Sequence, residues 1–123
     1  MIGYSTIGVN DMARAEEFYG ALLSEIGCSQ LFGQDRIKFY GNGQGAMLAI
    51  CIPYDEQSQH PGNGNMIAIN AGSREVADRL YAKALELGAT DEGEPGERVP
   101  GMFYGAYVRD LDGNKLCFYE MNM

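Results

Sequence analysis

Apolar and polar positions along this 123-residue chain follow two alternating periods, and the same succession of periods is written twice. Residues 2–9 (Ile-Gly-Tyr-Ser-Thr-Ile-Gly-Val) form a short run that predicts a strand. Asn10-Asp11 ends it and suits a helix N-cap, because a side-chain oxygen there accepts one of the unpaired amides of the first turn. From Met12 to Ile26, apolar residues fall at Ala15, Phe18, Tyr19, Leu22, Leu23 and Ile26, the spacing of one helical stripe. Gly27 suits the left-handed position that closes such a helix. Three strand-like runs follow, Ser29–Phe32, Arg36–Tyr40 and Ala46–Ile52, separated by Gly33-Gln34-Asp35 and by a glycine-rich turn from Gly41 to Gly45. Pro53 stops the last run. The polar stretch 54–65, with Pro61-Gly62-Asn63-Gly64, reads as a joining loop.

The order then repeats. Asn65–Ala71 predicts a strand, Gly72-Ser73 a cap, and Arg74–Leu87 a helix with Val76, Ala77, Leu80, Tyr81, Ala84, Leu85 and Leu87 on its apolar side, closed by Gly88. A Gly/Pro/Glu-rich stretch from Asp91 to Gly101 holds one short strand near Glu97–Val99. Two strands, Phe103–Arg109 and Lys115–Met121, flank Asp110-Leu111-Asp112-Gly113-Asn114. One constant offset carries Ala15 onto Ala77, Phe18 onto Leu80, Tyr19 onto Tyr81 and Leu23 onto Leu85, and nearly the same offset carries Gly27 onto Gly88. Matched caps, stops and closing strands favour duplication over coincidence. The expected fold class is α+β, with two tandem βαβββ modules (about 1–56 and 64–123). The whole is expected to be a single domain over 1–123.

Composition narrows the function classes. Hydrophobic residues at 46% and charged residues at 21% suit a globular chain, and no window approaches the length of a membrane span. The formal charge of −8, from 9 basic and 17 acidic residues without a basic cluster, argues against nucleic-acid binding and welcomes a cationic ligand. Cys28, Cys51 and Cys117 are odd in number and widely spaced, with no C-x-x-C pair, so a reducing cytoplasm is expected. The opening Met1-Ile2-Gly3-Tyr4 shows no export signal. Gly41-x-Gly43-x-x-Ala46 precedes a β-rich run, not a helix, which excludes a dinucleotide fingerprint. No G-x-S-x-G, Walker or H-E-x-x-H motif occurs.

The run Ile7-Gly8-Val9-Asn10-Asp11-Met12-Ala13-Arg14-Ala15 with Phe18-Tyr19, and later Tyr107-Val108-Arg109-Asp110-Leu111-Asp112-Gly113-Asn114-Lys115-Leu116, resembles the vicinal oxygen chelate superfamily of glyoxalase I, bleomycin and fosfomycin resistance proteins and extradiol dioxygenases. The resemblance spans essentially the whole chain and implies that the two modules form a curved mixed sheet around a cleft, helices outside, often with two chains associated, so a homodimer is expected. Metal-dependent members place His, Gln or Glu at four strand positions facing the cleft. Those positions fall here on Tyr4, Ala49, Met66 and Cys117. Such a set makes no oxygen/nitrogen site for Mg, Mn, Fe or Ni, and slipping Tyr4, Met66 or Cys117 by one residue restores no strong ligand. The expectation is a divergent member with no metal and no cofactor.

Strand alternation groups Tyr4 with Thr6, Met47 with Ala49 and Cys51, Met66 with Ala68, and Lys115 with Cys117 and Tyr119. If these are the cleft faces, the pocket is apolar, with tyrosine hydroxyls and a thiol, and suits a flat or hydrophobic small molecule. The register across 110–114 leaves Tyr104 and Tyr107 both open as the cleft-facing aromatic; Tyr104 is carried as the candidate. Arg98 is a candidate for holding an anionic ligand group, beside its plainer reading as a surface charge. The strand tyrosines also read as ordinary packing, Cys117 as an inert buried thiol, and His60 as a solvated loop histidine. Glu120 lies on the opposite strand face from Cys117. Three functions follow: a non-catalytic binder of a small apolar or aromatic molecule, a metal-free enzyme using Tyr4, Cys117 or His60 for proton transfer, and a glyoxalase or dioxygenase with an unrecognised metal site. Binding is the favoured reading, with no nucleic acid or membrane as partner.

Overall fold

The computed structural model describes residues 1–122, and its element order is βαβββ twice over. The chain divides into two compact units, Met1–His60 and Pro61–Met123. In the first, β1 (Tyr4–Gly8) leads to α1 (Met12–Ser24), then β2 (Ser29–Gln34), β3 (Ile37–Gly41) and β4 (Met47–Cys51). These strands form one mixed sheet in the order β1-β4-β3-β2, with β1 and β4 parallel and the remaining pairs antiparallel. The second unit runs β5 (Ile67–Asn70), α2 (Arg74–Glu86), β6 (Thr90–Val99), β7 (Phe103–Arg109) and β8 (Lys115–Met121). Its sheet repeats the pattern as β5-β8-β7-β6, again with one parallel pair, β5 with β8. The α+β class and the duplicated module are as the chain's periodicity predicts. No helix among the described residues is long and apolar enough to cross a membrane.

The caps fall where the short polar residues stand. Asp11 caps α1 by accepting from the Arg14 amide at 3.1 Å, and Ser73 caps α2 by accepting from the Val76 amide at 3.2 Å. Past the helix ends, Gly27 (φ +76°) and Gly88 (φ +106°) take the left-handed conformation that a side chain opposes. The apolar stripe of α1 buries Ala15, Phe18, Tyr19, Leu22 and Leu23; that of α2 buries Ala77, Leu80 and Ala84. The matched pairs therefore agree at Ala15/Ala77 and Phe18/Leu80. They part at Leu23, which is buried, and Leu85, which is exposed, and at Tyr19, which is buried, and Tyr81, whose hydroxyl donates to Asp91 at 2.8 Å.

In each sheet one face is dry. Ile7, Tyr40 and Ile50 are buried on the α1 side of the first sheet, and Ala106, Val108, Leu116 and Phe118 on the α2 side of the second. Period-two alternation then sends Tyr4, Thr6, Phe39 and Ala49, and in the other unit Tyr107, Cys117 and Tyr119, to the face that no helix of the same unit covers.

Strand β6 departs from expectation. A short strand near Glu97–Val99 was expected, and ten residues pair instead. The reason is its position at the sheet edge, bonded only to β7, where Pro95 needs no second partner. Register shifts between Asp91 and Gly93, Gly93 and Gly96, and Glu97 and Val99 absorb the extra residues.

The Asp110–Asn114 turn is a structural knot. The buried Asp110 carboxylate accepts from the amides of Asp112 (2.9 Å) and Asn114 (2.8 Å) and from the Asn114 side chain (3.0 Å). Asp110→Ala is expected to cost about 2–4 kcal/mol, because two inward amides lose their acceptor. Phe18→Ala should cost about 3–5 kcal/mol. Asp35→Ala, at an exposed hairpin tip, should stay within about 0.5 kcal/mol of the parent. Urea unfolding of the three variants checks this ranking.

Candidate functional site

The open face of the first sheet is built in rows. Tyr4 lies opposite Met47, Thr6 opposite Ala49, and Ala49 opposite Phe39, which in turn pairs with Phe32. The candidates Tyr4, Thr6, Met47 and Ala49 therefore share one surface. Three rings cross it: Tyr4 meets Phe39 edge-on at 5.1 Å, and Phe39 stacks on Phe32 at 4.5 Å. Tyr4 and Phe32 remain 54% and 55% exposed, so the ladder presents ring area to solvent at both ends while Ala49 is sealed beneath it. Phe39 and Phe32 are functional candidates that strand alternation alone does not single out; the stacking appears only once β2 is placed beside β3.

The open face of the second sheet has another character. Ala68 pairs with Cys117, and Cys117 with Tyr107. This settles the aromatic left open by the sequence. Tyr104 does not belong to this face: it pairs with Glu120, its hydroxyl donates to Asp78 on α2 at 2.6 Å, and Arg74 of the same helix lies 4.8 Å from its ring centroid. Alternation over three residues puts Tyr107 on the other side, where the Arg98 guanidinium lies 5.3 Å and the Lys115 ammonium 5.4 Å from its ring centroid. Tyr119 stays on the open face, stacked against Phe103 at 5.5 Å. Met66 sits one residue before β5, outside the β5–β8 pairing, and is 43% exposed. His60 is exposed in its loop. In the first unit a shallow cavity of about 310 Å³ lies beyond the ends of β1 and β4, lined by Val9, Asn10, Ile52, Pro53 and the 56–58 loop.

The Cys117 thiol and the Tyr107 phenol of the second face are held in their neutral forms. Burial pushes the Cys117 thiol above its ordinary value, against the smaller opposing pull of the Tyr107 hydrogen bond and of Lys115 and Arg98. Burial also raises the Tyr107 phenol, as does the neighbouring Cys117, while Arg98 pulls it down. Neither group is a base near neutrality.

The sequence model of the Glyoxalase/Bleomycin resistance protein/Dioxygenase superfamily matches residues 1–118. The chain belongs to this superfamily. Among solved structures, a glyoxalase/bleomycin resistance protein from Albidiferax ferrireducens T118 is 32% identical over 99% of both chains, with a TM-score of 0.91. A glyoxalase-related enzyme from Fulvimarina pelagi (21% identity, 98% of this chain and 87% of that one, TM-score 0.76) shares the fold. So does a glyoxalase/bleomycin resistance protein/dioxygenase family enzyme from Burkholderia phytofirmans PsJN (17% identity, 98% of both chains, TM-score 0.78). No curated protein matches the chain.

The metal of the superfamily's metal-dependent members does not fit the residues present. The positions carried over from them hold a phenol at Tyr4, a methyl at Ala49, a thioether at Met66 and a protonated, fully buried thiol at Cys117. Their nearest face neighbours, Thr6, Met47, Ala68 and Tyr107, add no imidazole or carboxylate. Glu120, the nearest carboxylate in sequence, faces α2, with its oxygen 4.0 Å from Arg74. Among the described residues, no three of His, Cys, Asp and Glu gather into a metal-binding group.

The raised thiols and phenols fix the sign of the alkaline response. An unfolded chain releases these protons from 9.0 for thiols and 10.0 for phenols, whereas the folded chain keeps them longer on Cys28, Tyr40, Tyr104, Tyr107 and Cys117, and on Tyr81, pushed up to about 12. The folded state then binds more protons, so stability is complete below pH 9 and falls as pH rises through the thiol and phenol range. Melting temperatures from pH 7 to 11 should decline accordingly. At pH 8, Cys117 should react with an aromatic disulfide at least about tenfold more slowly in the native protein than in urea.

Proposed function

We propose that this chain is a binding protein that takes up a small, largely apolar or aromatic molecule on the open face of its first module, without a metal ion. The Tyr4–Phe39–Phe32 ladder carries the reading. It offers ring faces and edges at van der Waals reach, with the Thr6 hydroxyl and Tyr4 phenol as its polar edges and no imidazole or carboxylate among its strand partners. Apolar walls with a few polar groups suit a flat organic ligand. Binding is favoured over metal-free catalysis because burial holds the proton-transfer candidate Cys117, and the Tyr107 phenol beside it, protonated and so unavailable as bases.

A homodimer belongs to the same reading, supported by exposed apolar side chains at Ile2, Leu31, Val99 and Met102. So does a reducing cytoplasm, since all three cysteines are free thiols. Light scattering should return twice the mass of one chain; a monomer at high micromolar concentration removes the dimer from the account.

A neutral aromatic probe such as 2-naphthol tests the binding claim. Phe39→Ala removes the ring shared by both contacts and should weaken the probe by about tenfold, the worth of one buried aromatic contact. Phe32→Ala, at the exposed end, should weaken it about threefold with the fold intact. Unchanged affinity in both variants would place the ligand elsewhere.

A further inference from the structure

We infer that the open face of the second module is a seat for the oxyanion of a small aromatic acid, a carboxylate or phosphate, held between Arg98 and Lys115 with its ring over Phe103 and Tyr119. The two cations flank one ring, that of Tyr107, at 5.3 and 5.4 Å from its centroid. The chain holds 17 acidic and 9 basic residues, and some of its surface cations pair with carboxylates. Arg74, Lys83 and Arg109 do so, at 3.2, 3.5 and 2.6 Å from Glu97, Glu86 and Glu92. Arg98 and Lys115 are placed against the tyrosine instead, where Arg98 hydrogen-bonds the Tyr107 phenol and also donates to the backbone carbonyl of Glu94. Their charge is unspent toward any carboxylate of the described residues.

Three glycines make the room. A Cβ on Gly93 would come 3.0 Å from Tyr107 Cδ2 and 3.2 Å from Arg98 Nη2; one on Gly96 would come 3.0 Å from Arg98 Nη1. A Cβ on Gly105 would come 2.8 Å from Phe103 Cε1 and 3.3 Å from the Tyr107 hydroxyl. None of the three has a positive φ, so backbone conformation does not require glycine there. What Gly93 and Gly96 supply is space for the guanidinium beside the Tyr107 ring, where a planar acceptor approaching from the open face would meet it. The stacked pair Phe103 and Tyr119 adjoins it across Gly105, giving an aromatic body a surface next to the charged end.

The seat lies wholly in the second module, so it stands or falls apart from the aromatic ladder of the first. The test uses the full chain, labelled with ¹⁵N and titrated with benzoate, phenyl phosphate and neutral benzamide. At least one of the two anions should bind about tenfold tighter than benzamide, shifting the amides of Arg98, Tyr107 and Lys115. Which anion does so identifies the group. The advantage should shrink to less than about threefold in Arg98→Gln and in Lys115→Gln, survive in Lys115→Arg, and weaken in about 0.5 M salt. Gly96→Ala, which keeps both charges and crowds only the guanidinium, should lower it as well. Phe39→Ala should leave it untouched. Equal affinity for all three probes, an advantage retained in the Arg98→Gln/Lys115→Gln double variant, or no binding by about 20 mM overturns the seat. A seat confirmed while 2-naphthol ignores Phe39 overturns the ladder reading and leaves this one standing.

Discussion

Everything at the candidate sites depends on the burial of one helix stripe against one face of a four-stranded sheet. Phe18 and Leu22 in the first module, Leu80 and Ala84 in the second, are buried on the helix side. Because side chains alternate across a strand, that burial fixes the destination of every other residue. Val108 faces the helix, hence Tyr107 cannot; Leu116 and Phe118 face it, hence Cys117 and Tyr119 stand on the other side. A one-residue slip in β8 would exchange Cys117 for Phe118, crowding a ring into the space of a thiol and leaving a hole against the helix, which is why the register is firm.

On this common plan the two modules have moved apart in chemistry. The first keeps an open face of rings and small apolar groups, with Ala49 letting Phe39 lie close to Tyr4. The second places a phenol between two cations, with glycines around them. Neither face offers the hard oxygen and imidazole donors that the metal-dependent members of the superfamily use. What each offers is shape and weak polarity in the first module, shape and positive charge in the second. The net charge of the whole chain, which welcomed a cationic ligand in the sequence, describes the helix faces and loops better than it describes the Tyr107 neighbourhood.

Much of this was legible in the chain. The helices, their caps at Asp11 and Ser73 and the closing glycines rest on local chemistry, so they read directly. So did β7 and β8, whose bounds match, and the grouping of Tyr4 with Thr6 and of Met47 with Ala49. Strand β6 was obscured because Pro95 and three register shifts break its alternation, and only its place at the edge makes them tolerable. Tyr104 and Tyr107 were left open for a related reason: the Asp110 turn sets the pairing that puts Tyr104 opposite Glu120, and its register is held by the buried carboxylate's contacts, which periodicity does not encode. The Phe32–Phe39 stack and the glycine cradle were beyond the chain alone, being contacts between neighbouring strands.

Metal content tests the central claim most directly. Protein purified without a tag should carry no stoichiometric metal, and its melting temperature should not move with Ni, Mn, Fe, Zn or Mg. One bound ion per chain, with a metal-specific rise equivalent to about 3 kcal/mol at a hundredfold excess over the dissociation constant, would contradict the account and return the chain to metal-assisted chemistry.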